Sequence, residues 1–164
     1  MWSEVFLAQA KSDWQVYEHL RQTPLPECHA LHYLQMATEK LAKAYLLVDL
    51  GASQSIRLTH RALIRFLKLC ARIQGLQDEM GMTPKQFRAH VQQLLPLAYE
   101  IEKLAPDLAL GGPNPEYPWE MPKGTFHVPA EHKFVVSVLL NDSHGHKLIK
   151  LVRTALEKFY VLHE

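Results

Sequence analysis

The sequence is short of cysteine, of net charge and of long apolar runs, and each shortage excludes something. Only two cysteines occur in 164 residues, Cys28 and Cys70, both in apolar settings. That argues against a disulfide-built scaffold and suits a reduced chain. No stretch approaches the roughly 18 apolar residues of a membrane span. The run Val5-Phe6-Leu7-Ala8 meets Lys11 and Asp13 too soon to act as a secretory signal, so the expected location is the cytoplasm, with no membrane partner. Eighteen Lys and Arg against seventeen Asp and Glu leave a formal charge of +1, so no global field points to nucleic acid or an acidic substrate. His-Glu-x-x-His, paired Cys-x-x-Cys and carboxylate boxes are all missing, and no motif requires a cofactor.

What is present is a composition of 48% apolar and 21% charged residues, which fits a single domain over residues 1–164. Apolar residues recur at steps of three and four, so the expected fold is all-α, an antiparallel bundle of four to five helices. Phe6, Ala10, Trp14, Tyr17 and Leu20 share one face of a first helix. A second, over about Glu27 to Asp49, repeats the pattern in Ala30, Leu34, Ala37, Leu41, Ala44 and Val48, with Gly51 as its stop and Glu39 to Lys43 as an i,i+4 pair on its outer side. A third opens at Thr59 and carries Leu63, Phe66, Leu67, Cys70 and Ile73, with Gly75 and Gly81 at its exit. Thr83-Pro84-Lys85-Gln86 is a capping box that starts a fourth helix, which Pro96 should kink or divide.

Residues 106–129 hold six of the ten prolines and three of the seven glycines, so this stretch reads as a long ordered loop before the last helix. Tyr117, Trp119, Met121 and Phe126 are its expected apolar anchors. Beyond it, Phe134, Val138, Asn141, Gly145, Leu148, Val152, Ala155, Phe159 and Leu162 stay in helical phase, which favours one helix. The text Asn141-Asp142-Ser143-His144-Gly145 argues for a break, and Phe134 to Leu140 leaves a short strand open.

Ala10 to Asp13, the stretch Gln35-x-x-x-Glu39-Lys40-x-x-Lys43-Ala44, Thr59-His60 and Tyr117-Pro118 together resemble the HEPN domain over about three quarters of the chain. The resemblance implies an all-α bundle that either cleaves RNA, often as a toxin with its antitoxin, or binds without catalysis beside a nucleotidyltransferase-like partner. It also implies a homodimer. The ribonuclease branch carries Arg and His separated by four to six residues, the His acting as general acid or base and the Arg stabilising phosphate charge. Here the intervals from Arg21 to His29, Arg57 to His60, Arg88 to His90 and Arg153 to His163 are seven, two, one and nine residues, so no catalytic residue carries over.

Three constellations are also readable from the residues themselves. Arg57, Arg61, Arg65, Lys68 and Arg72 are spaced four, four, three and four, which puts five cations on one face of the third helix, beside His60. Either phosphates of RNA or a nucleotide compensate them, or solvent and the acidic stretch 99–121 do so, in this chain or another copy. Gln35, Glu39, Lys40 and Lys43 form a polar side facing a groove or partner, or simply solvent. Asn141 and Gly145 on an apolar stripe suggest a contact fixing helix register, within the bundle or across a dimer, or a kink. His29 and His32 share a helix edge, and His127, His132, His144 and His146 cluster near the last helix, but without a metal formula they are expected to be satisfied or exposed. Trp2, Trp14 and Trp119 are expected in the core or its cover.

Overall fold

The computed structural model of the chain describes residues 1–49 and 54–163, so the expected stop at Gly51 lies outside the described residues. Among those described there are nine α-helices: α1 (Trp2–Leu20), α2 (Glu27–Asp49), α3 (Gln54–Leu58), α4 (Ala62–Cys70), α5 (Gln74–Glu79), α6 (Pro84–Glu102), α7 (Pro106–Ala109), α8 (Val135–Leu140) and α9 (Ser143–Lys158). An antiparallel hairpin of β1 (Trp119–Met121) and β2 (Thr125–His127) and two 3-10 turns complete the chain. The class is all-α, built on four long helices, α1, α2, α6 and α9, with five short ones between them. No described helix is long and apolar enough to cross a membrane.

Helix α2 is the axis of the molecule. It packs against α1, α4, α6, α8 and α9, and every residue from Leu41 to Leu47 is buried. A helix buried on all sides needs small residues at its crossings, and Ala37, Ala42 and Ala44 have no exposure at all. Around it the core is filled by Leu7, Tyr17, Leu34, Phe66, Leu67, Phe87, Leu94, Ile101, Leu148 and Val152, each contributing roughly 1.5–3 kcal/mol of burial if large and aliphatic or aromatic. The Tyr45 hydroxyl donates to the Ala155 carbonyl at 2.8 Å and ties α2 to α9. Cys28 and Cys70 are free and buried, and burial pushes both thiols up from their ordinary pKa.

Several expectations are corrected. The third helix does not begin at Thr59: α3 ends at Leu58, and α4 starts only after Arg61, while the Thr59 hydroxyl accepts from the Arg61 amide at 3.0 Å in the turn between them. Thr83 does open α6 with a reciprocal box to Gln86, at 2.9 and 3.3 Å. That helix continues through Pro96 to Glu102, excluding two abutting helices. Gln92, whose carbonyl the ring deprives of a partner, is exposed like Pro96, so water can take that bond.

The single helix favoured by the phase of residues 129–162 is two helices, broken at Asn141-Asp142. Asp142 caps α9 by accepting from the Gly145 amide at 2.8 Å. Asn141 is exposed and so fixes no register within the bundle, and its amide donates to the Ser137 carbonyl at 2.9 Å. Gly145 is buried against the end of α8: a Cβ there would lie 2.3 Å from the Leu140 carbonyl oxygen. Strand does occur, but within 106–129 and not over Phe134 to Leu140. The hairpin pairs Trp119 with His127 and turns at Lys123 and Gly124, both with positive φ. Trp119 alone of the expected anchors is buried, stacked on His127; Tyr117, Met121 and Phe126 face outward, as does Trp2.

Candidate phosphate-binding groove and the polar cluster behind it

Helix α4 is short and strongly amphipathic: Leu63, Phe66, Leu67 and Cys70 face the core, which leaves Arg61, Arg65 and Lys68 together on the outside. Opposite them α6 presents Tyr99 and Lys103, and α7 with its exit closes one end through Leu108, Ala109 and Leu110. The resulting groove has a volume of about 500 Å³, within the range of small-ligand sites. Four cations line it against the single carboxylate of Glu102. Among the described residues Arg61, Arg65 and Lys68 have no ion pair, whereas Lys103 meets Glu100 at 3.2 Å. Tyr99 is 54% exposed, with the Lys103 ammonium 5.3 Å from its ring centre, so an aromatic face stands beside the cations.

Glu102 is built into the groove floor. Its carboxylate accepts from the Ile64 amide at 3.0 Å and so caps α4 from another helix, a role that neither Thr59 nor Arg61 fills. Burial raises its pKa above the ordinary carboxylate value, against the lowering effect of those amides and of Arg61.

Behind the groove lies a polar cluster on α2. Gln35 donates to Glu39 Oε2 at 2.7 Å, Lys43 to Glu39 Oε1 at 2.6 Å, and His60 Nδ1 sits 2.9 Å from the same Oε2 that Gln35 meets. His60 Nε2 in turn lies 3.2 Å from Asp107 on α7. Glu39 is 8% exposed and Lys43 5%, so the pair expected on the outer side of the helix is interior. The reason is that α2 has neighbours all round, which a one-sided amphipathic reading does not anticipate. Burial works to raise the Glu39 pKa, but the hydrogen bonds from Lys43 and His60 outweigh it and hold the carboxyl below its ordinary value. Lys40 leaves this cluster for Asp13 on α1 at 2.6 Å, where Gln9 also donates at 2.9 Å.

The five-cation stripe is thus divided. Arg61, Arg65 and Lys68 line the groove together. Arg57 belongs to α3, with its guanidinium 4.8 Å over the Trp2 ring, and Arg72 lies beyond the end of α4, exposed. Asn141 and Gly145 form the α8–α9 joint, remote in sequence from these residues. His32 Nδ1 lies 3.4 Å from Glu116, and His132 packs edge-on to Trp119. Among the described residues no group of three or more His, Cys, Asp or Glu is placed to hold a metal. Tyr99 and Glu102 were not legible as site residues, though each departs from its helix pattern: Tyr99 is an aromatic off the apolar stripe, Glu102 a carboxylate buried at its end. No protein-family model, curated protein or solved structure matches the chain.

Proposed function

We propose that this chain is a non-catalytic α-helical binding module of HEPN type whose α4–α6 groove takes the phosphates of a cytoplasmic RNA strand or nucleotide. The observation that carries the reading is the grouping of unpaired Arg61, Arg65 and Lys68 around one groove with the exposed ring of Tyr99. Cations track phosphate oxygens and an aromatic face accepts a base, the two elements that sequence-tolerant single-strand binding needs. The HEPN assignment rests on the Gln35 to Ala44 text and on the pairing of Lys40 with Asp13, which joins two stretches of the resemblance in space. A homodimer and a nucleotidyltransferase-like partner complete the proposal as the resemblance implies them; light scattering and a pull-down test those two.

The groove itself is tested by fluorescence anisotropy with a labelled oligouridylate across a salt series. Three phosphate contacts predict an affinity loss of roughly 20-fold between about 50 and 200 mM salt. Arg61→Glu with Arg65→Glu abolishes binding. No affinity at low salt, or an affinity indifferent to that double reversal, overturns the reading.

One observation favours a second reading, a metal-independent ribonuclease of toxin-antitoxin type. Glu39 orients His60 through a 2.9 Å hydrogen bond, and Arg61 follows it in the chain, the pairing that a general base and a phosphate-stabilising cation require. It predicts RNA cleavage that survives chelator and disappears in His60→Ala. RNA left intact at high protein concentration removes it.

A further inference from the structure

The wall of the groove formed by α7 is held in an unusual way. The segment hangs between buried Ala105 and buried Asn114, and no residue of α7 itself is buried. Its internal bonds are few: Leu108 and Ala109 both donate to the Ala105 carbonyl, at 2.9 and 3.0 Å. Leu110 then turns the chain with a positive φ of 51°, a conformation a leucine adopts only under constraint. Among the described residues the one contact at ion-pair distance from 106–113 to the helical body is Asp107 with His60, at 3.2 Å, charged on both sides only when the ring is protonated.

His60 faces a carboxylate on each side, Glu39 at Nδ1 and Asp107 at Nε2. A neutral imidazole carries one N–H and one lone pair, so it can donate to one of the two carboxylates only. Buried Glu39 is the more demanding acceptor, because an unmet interior charge costs more than one that water reaches, and Asp107 is 79% exposed. The neutral ring therefore keeps its N–H on Glu39, and Asp107 has no charge partner in it. Protonation puts a positive charge 3.2 Å from Asp107 and makes that contact an ion pair.

The other charges around the ring are Lys43 beside Glu39 on α2, Arg61 next in the chain at the start of α4, and Glu102 on α6, which lies within the field of both Glu39 and Arg61. Two cations face three carboxylates in this group, so the imidazolium balances it and the neutral ring leaves it one negative charge in excess. Arg57 of α3 is engaged with Trp2.

We propose that His60 is a protonation-controlled latch: charged, it pins Asp107 and closes the α7 wall of the groove; neutral, it releases that wall. The latch deepens the phosphate-groove reading and rests on it for its consequence, tighter ligand binding on the acidic side, but the movement of α7 is measurable without ligand. The probe of movement is amide hydrogen exchange at Leu108 and Ala109, as protection factors corrected for the intrinsic rate, at pH 6 and pH 8. The expected result is about threefold more protection at pH 6, the scale of one partly exposed charged contact, and equal protection at both pH values in Asp107→Asn. Equal protection in the parent chain, or an unchanged pH effect in Asp107→Asn, overturns the latch.

Affinity is read with an oligouridylate lacking a terminal phosphate, whose phosphodiesters do not titrate over this range. The parent chain binds about threefold more tightly at pH 6 than at pH 8, and Asp107→Asn binds with no pH dependence. If the dependence persists in Asp107→Asn, the imidazolium acts by its own charge and the latch is wrong. If RNA binds at neither pH, the phosphate-groove reading fails, while the exchange experiment still decides the latch.

Discussion

Glu39 keeps its charge inside the molecule because three donors, from Gln35, Lys43 and His60, converge on its two oxygens. Removing it strands Lys43, and an uncompensated interior charge is far more costly than a lost pair is valuable. Glu39→Leu should therefore destabilise the protein by about 3–5 kcal/mol, and Glu39→Leu with Lys43→Met should recover most of that loss; urea unfolding of both variants measures it. His90 presents the opposite case. It is buried on α6 with Nε2 unpartnered, and burial together with Lys147, His144 and Lys150 of α9 lowers its pKa below the ordinary imidazole value. The unfolded chain then takes up a proton that the folded chain refuses. Stability from this group is intact above about pH 6.5 and is lost as the pH falls below it. The urea midpoint should drop between pH 7.5 and pH 5.5, and His90→Gln should flatten that drop. The burial of Glu39 was not legible in the sequence, since it lies opposite the apolar stripe of its helix, whereas His90 falls on the stripe of α6 between Phe87 and Leu94.

At the level of elements, the start of α6 and the span of α2 are legible in the sequence. Thr83 to Gln86 starts α6, and the span 27–49 is α2 as expected. Where the end is set from a distance, the reading failed. Helix α4 starts two residues later than an N-cap at Thr59 suggested, and its Ile64 amide is met by Glu102, 38 residues away. Glu102→Ala should cost about 1 kcal/mol, the value of a lost cap, with exchange of the Ile64 amide rising ahead of its neighbours in the helix. The α8–α9 joint was half legible: the text around Asn141 signalled a break, while the apolar phase ran on through it. Gly145 is what permits the joint, since the Leu139 and Leu140 carbonyls occupy the space a side chain would need. Gly145→Ala should lower stability by about 1–3 kcal/mol, seen in thermal unfolding; a neutral effect would mean that α8 moves away at no cost.

For the whole molecule, the net charge of +1 conceals a local excess: three cations without an ion pair among the described residues, and Lys103, around one groove. Of the five cations aligned in the sequence, only the middle three share that groove, so Arg72→Glu should leave oligouridylate affinity within about twofold, whereas Arg65→Glu should reduce both the affinity and its salt dependence. Equal effects of the two reversals would restore the continuous stripe. The sequence by itself determined the all-α class, the central helix and the capped start of α6, because periodicity and caps are local and act through residues three or four apart. The tertiary structure alone decided which charges are interior and which line the groove. Periodicity reports one helix's own faces, whereas burial depends on how many other helices surround it, and the pairs that build the site, His60 with Glu39 and Glu102 with the Ile64 amide, join elements far apart in the chain.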